Sequence, residues 1–354
     1  MIENEKEEIV LDPHDEKLRK QINAVYEDLG ISDLMKTDGV TEICINEENK
    51  IFYEQFSVWE SFECQNNQSN DRIQGLGTLL INASGQSQKF DASNPMLSLT
   101  MPGGERTQLV IKPAAENCSL TIRIPSKQIF SMDEYAEKGL FKKIKQTDGI
   151  TDEDRELKEL LAKEEYQQFM EKAVQYRKNI VVSGATGSGK TTFMKTLISK
   201  IDKSERIITI EDARELFIDH PNRVHLVYPK SKSESSVTAK SCLEATLRMK
   251  PDRIILAEVR GDEAFYFIRA CGNGHSGSIT SCHADSALMA YEQLALMIAA
   301  SNDVNLSYGV IKHLIMMTID ISIHFANHHG DRFITGVDFN PERKLKLLRG
   351  EKLD

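Results

Sequence analysis

The sequence predicts an α/β protein in two parts, a smaller α+β domain followed by a larger domain built on a parallel sheet. Three observations carry this reading. From residue 179 onward apolar β-type runs alternate with helix-forming stretches; before about residue 130 short β-type runs are separated by turn residues. Between the two patterns, residues 184–191 (Gly-Ala-Thr-Gly-Ser-Gly-Lys-Thr) join an apolar run to a helical one. Repeated strand–helix alternation produces a largely parallel sheet with helices on its faces. A chain of 354 residues is long enough for two such cores.

In the first part, strands are expected at 42–45, 51–56, 97–101, 107–111 and 119–124, with helices over 17–29 and 73–81. Turn chemistry at 66–71 and 102–104 separates them, which suits an antiparallel sheet. The domains are expected at 1–130 and 151–354, with 131–150 as linker. Residues 131–178 are charged and helix-prone, and Thr151 before Asp152, Glu153 and Asp154 reads as a helix start. Leu157, Leu160, Leu161, Phe169, Met170 and Val174 recur at helical spacing. An ordinary amphipathic helix accounts for that spacing; a nucleotide-sensitive hinge is the sharper alternative. In the second part, strands are expected at 179–183, 206–210, 223–228, 253–257 and 277–281, and helices at 237–249, 262–271 and 286–300.

Hydrophobic content of 40% and charged content of 28% describe a globular protein, and a net charge of −10 argues against a surface wrapped in nucleic acid. Six scattered cysteines form no C-x-x-C pair, so reduced thiols are expected rather than a disulfide framework or zinc site. The first twenty residues are charged and resemble no signal peptide. The longest apolar stretch, 309–323, is interrupted by Lys312, His313 and Asp320, so no membrane span is expected.

The 184–191 segment is the chemical centre. Its glycines Gly184, Gly187 and Gly189 allow a tight turn whose N–H groups face phosphate oxygens, with Ala185, Thr186 and Ser188 between them. Lys190 reaches the terminal phosphates, the Thr191 hydroxyl suits Mg²⁺, and Thr192 continues into a helix whose positive end faces the ligand. This predicts binding of a nucleoside triphosphate. A second acidic site is needed to hold Mg²⁺ and place water. Glu258, at the end of the apolar run 253–257, fits that role, although a strand ending in a surface acid gives the same pattern. One strand over, Glu211 and Asp212 end the run 206–210; Glu211 is read as catalytic, while Asp212 fits function and helix capping equally. His275 and His283 bracket a glycine-rich turn and a strand, where an imidazole could sense phosphate or hold water. His324, His328 and His329 fall in an expected terminal hairpin and read as structural, as does the apolar cluster 314–317.

Four boxes in order, GATGSGKTT (184–192), TIEDARELFI (209–218), LRMKPDRIILAEVRG (247–261) and GNGHSGSITSCHA (272–284), resemble the Walker A, Asp, Walker B and His boxes of the secretion-ATPase superfamily. That superfamily serves type II and type IV secretion and type IV pili, and the chain looks most like the type IV secretion traffic ATPases. Residues 102–109 and 119–126 look like the family's arginine-bearing strands, so the resemblance spans about 35–330. It implies a RecA-like P-loop ATPase domain behind the α+β domain, assembled as a homohexamer with ATP and Mg²⁺ between the domains. It further implies that Arg106 and Arg123 reach the phosphates, that Thr191 and Glu258 hold the metal, and that His275 and His283 are the His-box imidazoles. The implied setting is the cytoplasmic face of the inner membrane, with inner-membrane secretion components and a secreted protein or nucleoprotein substrate as partners and no direct nucleic-acid binding. A tight-adherence or type IV pilus motor is the alternative, because its Walker B and His boxes read almost alike; a monomeric P-loop kinase or switch is a remote one. The type II ATPases' tetracysteine subdomain is missing, Ala213 stands where retraction motors carry proline, and the acidic stretch 145–165 looks longer than the family linker.

Overall fold

A computed structural model describes residues 13–64, 70–84, 88–101, 103–126, 129–143, 149–229 and 237–351. Most of the expected turn at 66–71, Pro102, and residues 144–148 of the expected linker lie outside the described residues. Internal contacts divide the chain into two units, Met1–Pro125 and Ser126–Asp354.

The first unit runs α1 (Pro13–Asp28), β1 (Val40–Glu47), β2 (Lys50–Gln55), β3 (Val58–Glu63), α2 (Asn70–Ser84), β4 (Met96–Thr100), β5 (Arg106–Val110) and β6 (Ser119–Arg123). Its strands form one antiparallel sheet in the order β3-β2-β1-β6-β5-β4. Leu18, Ile22 and Tyr26 of α1 and Ile73, Leu76 and Leu80 of α2 share an apolar cluster with Ile43, Ile45, Ile51, Leu97, Leu109, Leu120 and Ile122 of the strands. Burying such side chains contributes about 1.5–3 kcal/mol each, enough to hold two helices on one sheet face. The sequence pattern missed β3, an exposed edge strand with little buried surface to mark it.

The second unit holds α3 (Met132–Glu137), α4 (Asp152–Ala162), α5 (Tyr166–Gln175), β7 (Ile180–Gly184), α6 (Lys190–Ile198), β8 (Ile207–Glu211), β9 (Arg223–Val227), α7 (Ala239–Thr246), β10 (Arg253–Leu256), α8 (Glu263–Gly272), β11 (Ile279–Cys282), α9 (Ala287–Ala299), α10 (Tyr308–Thr318), β12 (Ile321–His328), β13 (Asp331–Phe339) and α11 (Pro341–Leu348). Seven strands lie in the order β13-β12-β7-β11-β10-β8-β9, parallel throughout except for the terminal hairpin β12–β13. β7, β8, β10 and β11 are buried along their whole length, which explains the mainly apolar runs of β7, β8 and β10; β11, Ile-Thr-Ser-Cys, is buried without one. Ile180, Val182, Ile207, Ile255, Ile279, Ile321 and Ile323 pack with α4, α5 and α6 in one cluster. α7 and α9 also touch the strands without joining that cluster, so helices cover both faces.

The acidic stretch resolves into ordinary packing at its helical end. Thr151 accepts a hydrogen bond from the Asp154 N–H, Asp154 pairs with Lys178, and Leu157 and Leu160 enter the core. No helix among the described residues is long and apolar enough to cross a membrane.

Candidate nucleotide site

Four parallel strands each bring a candidate site residue to the carboxyl edge of the sheet, where such folds bind ligands. β7 ends in Gly184, β10 leads to Glu258, β8 leads to Asp212, and β11 leads to His283. Together they surround a cavity of about 400 Å³ lined by residues 186–192, Asp212, Ala213, Glu215, Ala257, Glu258, Arg260, Ser281, His283 and Arg332.

The loop at the cavity floor places three glycines, Gly184, Gly187 and Gly189, in conformations that L side chains rarely adopt. Gly184 has φ +148, and a Cβ there would stand 2.4 Å from the Phe325 carbonyl oxygen. Gly189, at φ +103, begins α6 without a side-chain cap, which leaves the first-turn N–H groups to an external anion. Lys190 is folded back, its ammonium donating to the carbonyls of Gly184 (2.7 Å) and Ala185 (2.9 Å). Burial pulls its pKa below the usual lysine value, and Glu258 pulls in the opposite direction. Gly184 and Ala185 do not line the cavity themselves; they hold the lysine.

Across the cavity, Glu258 Oε2 accepts from Arg260 Nε (2.9 Å) and Nη2 (2.5 Å). The same guanidinium donates through Nη1 to Asp212 Oδ2 at 2.6 Å, bridging both acids. Those two carboxylates hold Arg260 more firmly protonated, the hydrogen bond to Glu258 contributing most. His283 Nε2 lies 2.6 Å from Glu258 Oε1, yet that buried oxygen receives no well-directed hydrogen bond. The contact is therefore one of proximity, and Oε1 has acceptor capacity left. On its other side, His283 Nδ1 is 3.2 Å from the Gly184 carbonyl, tying the imidazole to the phosphate loop.

Two sequence expectations are corrected. Glu211 was expected to be catalytic, but its carboxylate is fully buried and lies outside the cavity lining. It accepts from Arg214 Nη1 (2.6 Å), the Glu215 N–H (2.8 Å), the Leu216 N–H (2.7 Å) and the Thr209 hydroxyl (3.1 Å). Successive residues leave a strand on opposite sides, so Glu211 organises the turn while Asp212 faces the cavity. His225, 3.9 Å from Glu211, is not its counter-ion: burial first, then Arg214 and Arg223, push the imidazole down to about 3. Glu211→Ala is expected to destabilise this unit by about 3–5 kcal/mol, because a partly buried cation and two backbone donors lose their fully buried acceptor. Denaturant unfolding reads this; an inactive variant as stable as the parent would return Glu211 to catalysis.

His275 is the second correction. It precedes β11, at the amino edge of the sheet, with Nδ1 3.0 Å from the Pro251 carbonyl just ahead of β10. The four-residue strand separates it from His283, so within one chain it does not reach the cavity. Burial lowers its pKa, which fits a neutral structural imidazole. Arg106 and Arg123 are exposed and directly opposite each other in the β5–β6 ladder of the first unit. Reasoning from sequence missed Arg260 and Arg332. Arg260 had a signal, two residues after Glu258 in the same box; Arg332 had none.

Comparison with known proteins shows the family. The family model "Type II/IV secretion system protein" matches residues 30–323. The chain is 42% identical over 326 residues to the type IV secretion system protein VirB11 of Brucella suis, covering 88% of this chain and 90% of that protein. It is 38% identical over 294 residues to the type IV secretion system protein PtlH of Bordetella pertussis, covering 80% and 84% respectively. It is also similar to the crystal structure of the VirB11 ATPase from the Brucella suis type IV secretion system in complex with sulphate, with a TM-score of 0.85 and 40% identity across 92% of this chain and 99% of that one. The chain thus belongs to the type II/IV secretion system protein family, as an ATP-hydrolysing ATPase of the type IV secretion kind.

Proposed function

We propose that the chain works as a homohexameric, Mg²⁺-dependent ATPase on the cytoplasmic face of the inner membrane, energising transfer of a secreted protein or nucleoprotein by a type IV secretion machine. The observation that carries this reading is the convergence of Lys190, Thr191, Glu258 and His283 on one cavity of nucleotide-phosphate dimensions.

Thr191 and Glu258 are the residues that would hold Mg²⁺, which when bound neutralises charge on the β- and γ-phosphate oxygens. The residues fit such an ion: Glu258 Oε1 is buried without a hydrogen bond, and the Thr191 hydroxyl makes none among the described residues. Residues 186–192 cradle the phosphate chain, with Lys190 leaving its loop carbonyls to meet it. Glu258 positions and deprotonates the attacking water, and His283, tethered to the loop, orients that carboxylate. Arg260 holds Glu258 and Asp212 in place until nucleotide enters. Arg106 and Arg123 supply further cations; two like charges facing each other across a ladder are unfavourable alone and are relieved by an anion. The proposed division is an α+β domain over 1–130, a linker over 131–150 and the ATPase domain over 151–354.

Solution mass with and without Mg²⁺ and a slowly hydrolysed ATP analogue tests the assembly. A species of about six times 40.0 kDa with analogue is expected. A chain that stays monomeric with analogue bound would remove the motor and leave a nucleotide switch.

A further inference from the structure

We propose that Arg332 is an additional phosphate-binding cation of this site, delivered by the terminal hairpin of the same chain. The inference rests on the reading of the cavity as a nucleotide site and adds a residue that none of the four sequence boxes contains. Arg332 lies on β13, is exposed, and lines the cavity beside Gly187, Gly189 and Lys190. Its Cδ lies within 3.4 Å of where a Cβ on Gly189 would stand, so the side chain passes directly over the loop at the start of α6. The Arg332 side chain has no hydrogen bond or ion pair among the described residues, whereas Arg177, Arg214, Arg253, Arg260 and Arg343 of this unit each grip a carboxylate.

The hairpin carrying it is seated on the loop. The Phe325 ring packs on Phe193 of α6 with centroids 4.9 Å apart, and the Phe325 carbonyl closes over Gly184. Asn327 lies directly opposite Arg332 in the β12–β13 register; its side-chain amide donates to the Gly187 carbonyl at 3.4 Å. The same Asn327 accepts from the Gly330 N–H at 3.1 Å, so one side chain closes the hairpin turn and touches the phosphate loop. The backbone that bears Arg332 is therefore fixed relative to the phosphates, and only its own torsions need to adjust. A guanidinium offers a planar fork that matches two phosphate oxygens. Because ATP and ADP both present a phosphate chain at the loop, the contact is made before and after hydrolysis. Binding that is equal in ground and transition states lowers KM without raising kcat.

The test compares parent, Arg332→Ala, Arg332→Lys and Lys190→Ala in steady-state ATP turnover, in displacement of a fluorescent ADP analogue by ATP, ADP and adenosine, and in thermal melting. Arg332→Ala is expected to raise the KM for ATP and the Kd for ADP by about tenfold or more. Its kcat stays within about twofold, adenosine displacement and melting stay unchanged, and Arg332→Lys regains only part of the loss, because lysine restores the charge without the planar fork. Unchanged KM and Kd in Arg332→Ala, with binding lost in Lys190→Ala, would overturn the role of Arg332 alone. Full binding in Lys190→Ala would overturn the nucleotide site itself. Equal losses for adenosine and ADP, or a lowered melting temperature that lysine does not restore, would make Arg332 a packing residue and sink the proposal.

Discussion

Glu258→Gln is expected to cut ATP turnover by about 10²- to 10³-fold while leaving nucleotide binding close to that of the parent. The substitution keeps shape and removes charge. The amide oxygen can still accept from Arg260, and Asp212 still holds the other side of that guanidinium, so the cavity wall stays in place. What disappears is the carboxylate proposed to take the water's proton, with its oxygen beside His283 that accepts no hydrogen bond. Steady-state turnover with a parallel binding titration separates the two effects. Turnover within a few-fold of the parent would remove Glu258 from the chemical step.

Lys190→Ala is expected to fail earlier, at binding. Lys190 is buried, and its ammonium is already oriented by the carbonyls of Gly184 and Ala185. Moving it from two carbonyls to phosphate oxygens exchanges neutral acceptors for charged ones, which make stronger hydrogen bonds. Two such bonds at roughly 1.5–3 kcal/mol each correspond to a loss of about 10²- to 10⁴-fold in ATP affinity. Turnover at practical ATP concentrations then falls to background. Folding is spared, because alanine removes a group whose burial is itself unfavourable and the two carbonyls regain water. A Lys190→Ala protein that binds ATP normally would mean that this loop is not the phosphate cradle.

The parts of the site legible in the sequence were those whose geometry is local. Residues 184–192 fix their own turn through glycine conformations, and Glu258 follows a strand buried on both faces, which shows as an unbroken apolar run. The choice between Glu211 and Asp212 was not legible, because it depends on which of two adjacent side chains turns toward the cavity. That is decided by the Arg214 side chain and the N–H groups of Glu215 and Leu216 gathering around Glu211. His275 and His283 look equivalent in sequence and lie at opposite edges of the sheet, since a short strand separates them. Arg332 belongs to the site only because β12 lies beside β7 and the hairpin folds back over the loop. The fold follows the same rule. Buried elements announced themselves, whereas the exposed edge strand β3 and the terminal helix α11 did not.

In the proposed mechanism one cavity both holds ATP and hydrolyses it, with Lys190 needed for binding and Glu258 for the chemical step. The most direct measurement is the identity of the nucleotide retained by Glu258→Gln after mixing with Mg²⁺ and ATP and rapid removal of free ligand. Intact ATP bound at close to one per chain is expected, while the parent retains ADP and Lys190→Ala retains neither. ADP formed on Glu258→Gln at the parent's rate, or an empty Glu258→Gln protein, would contradict it.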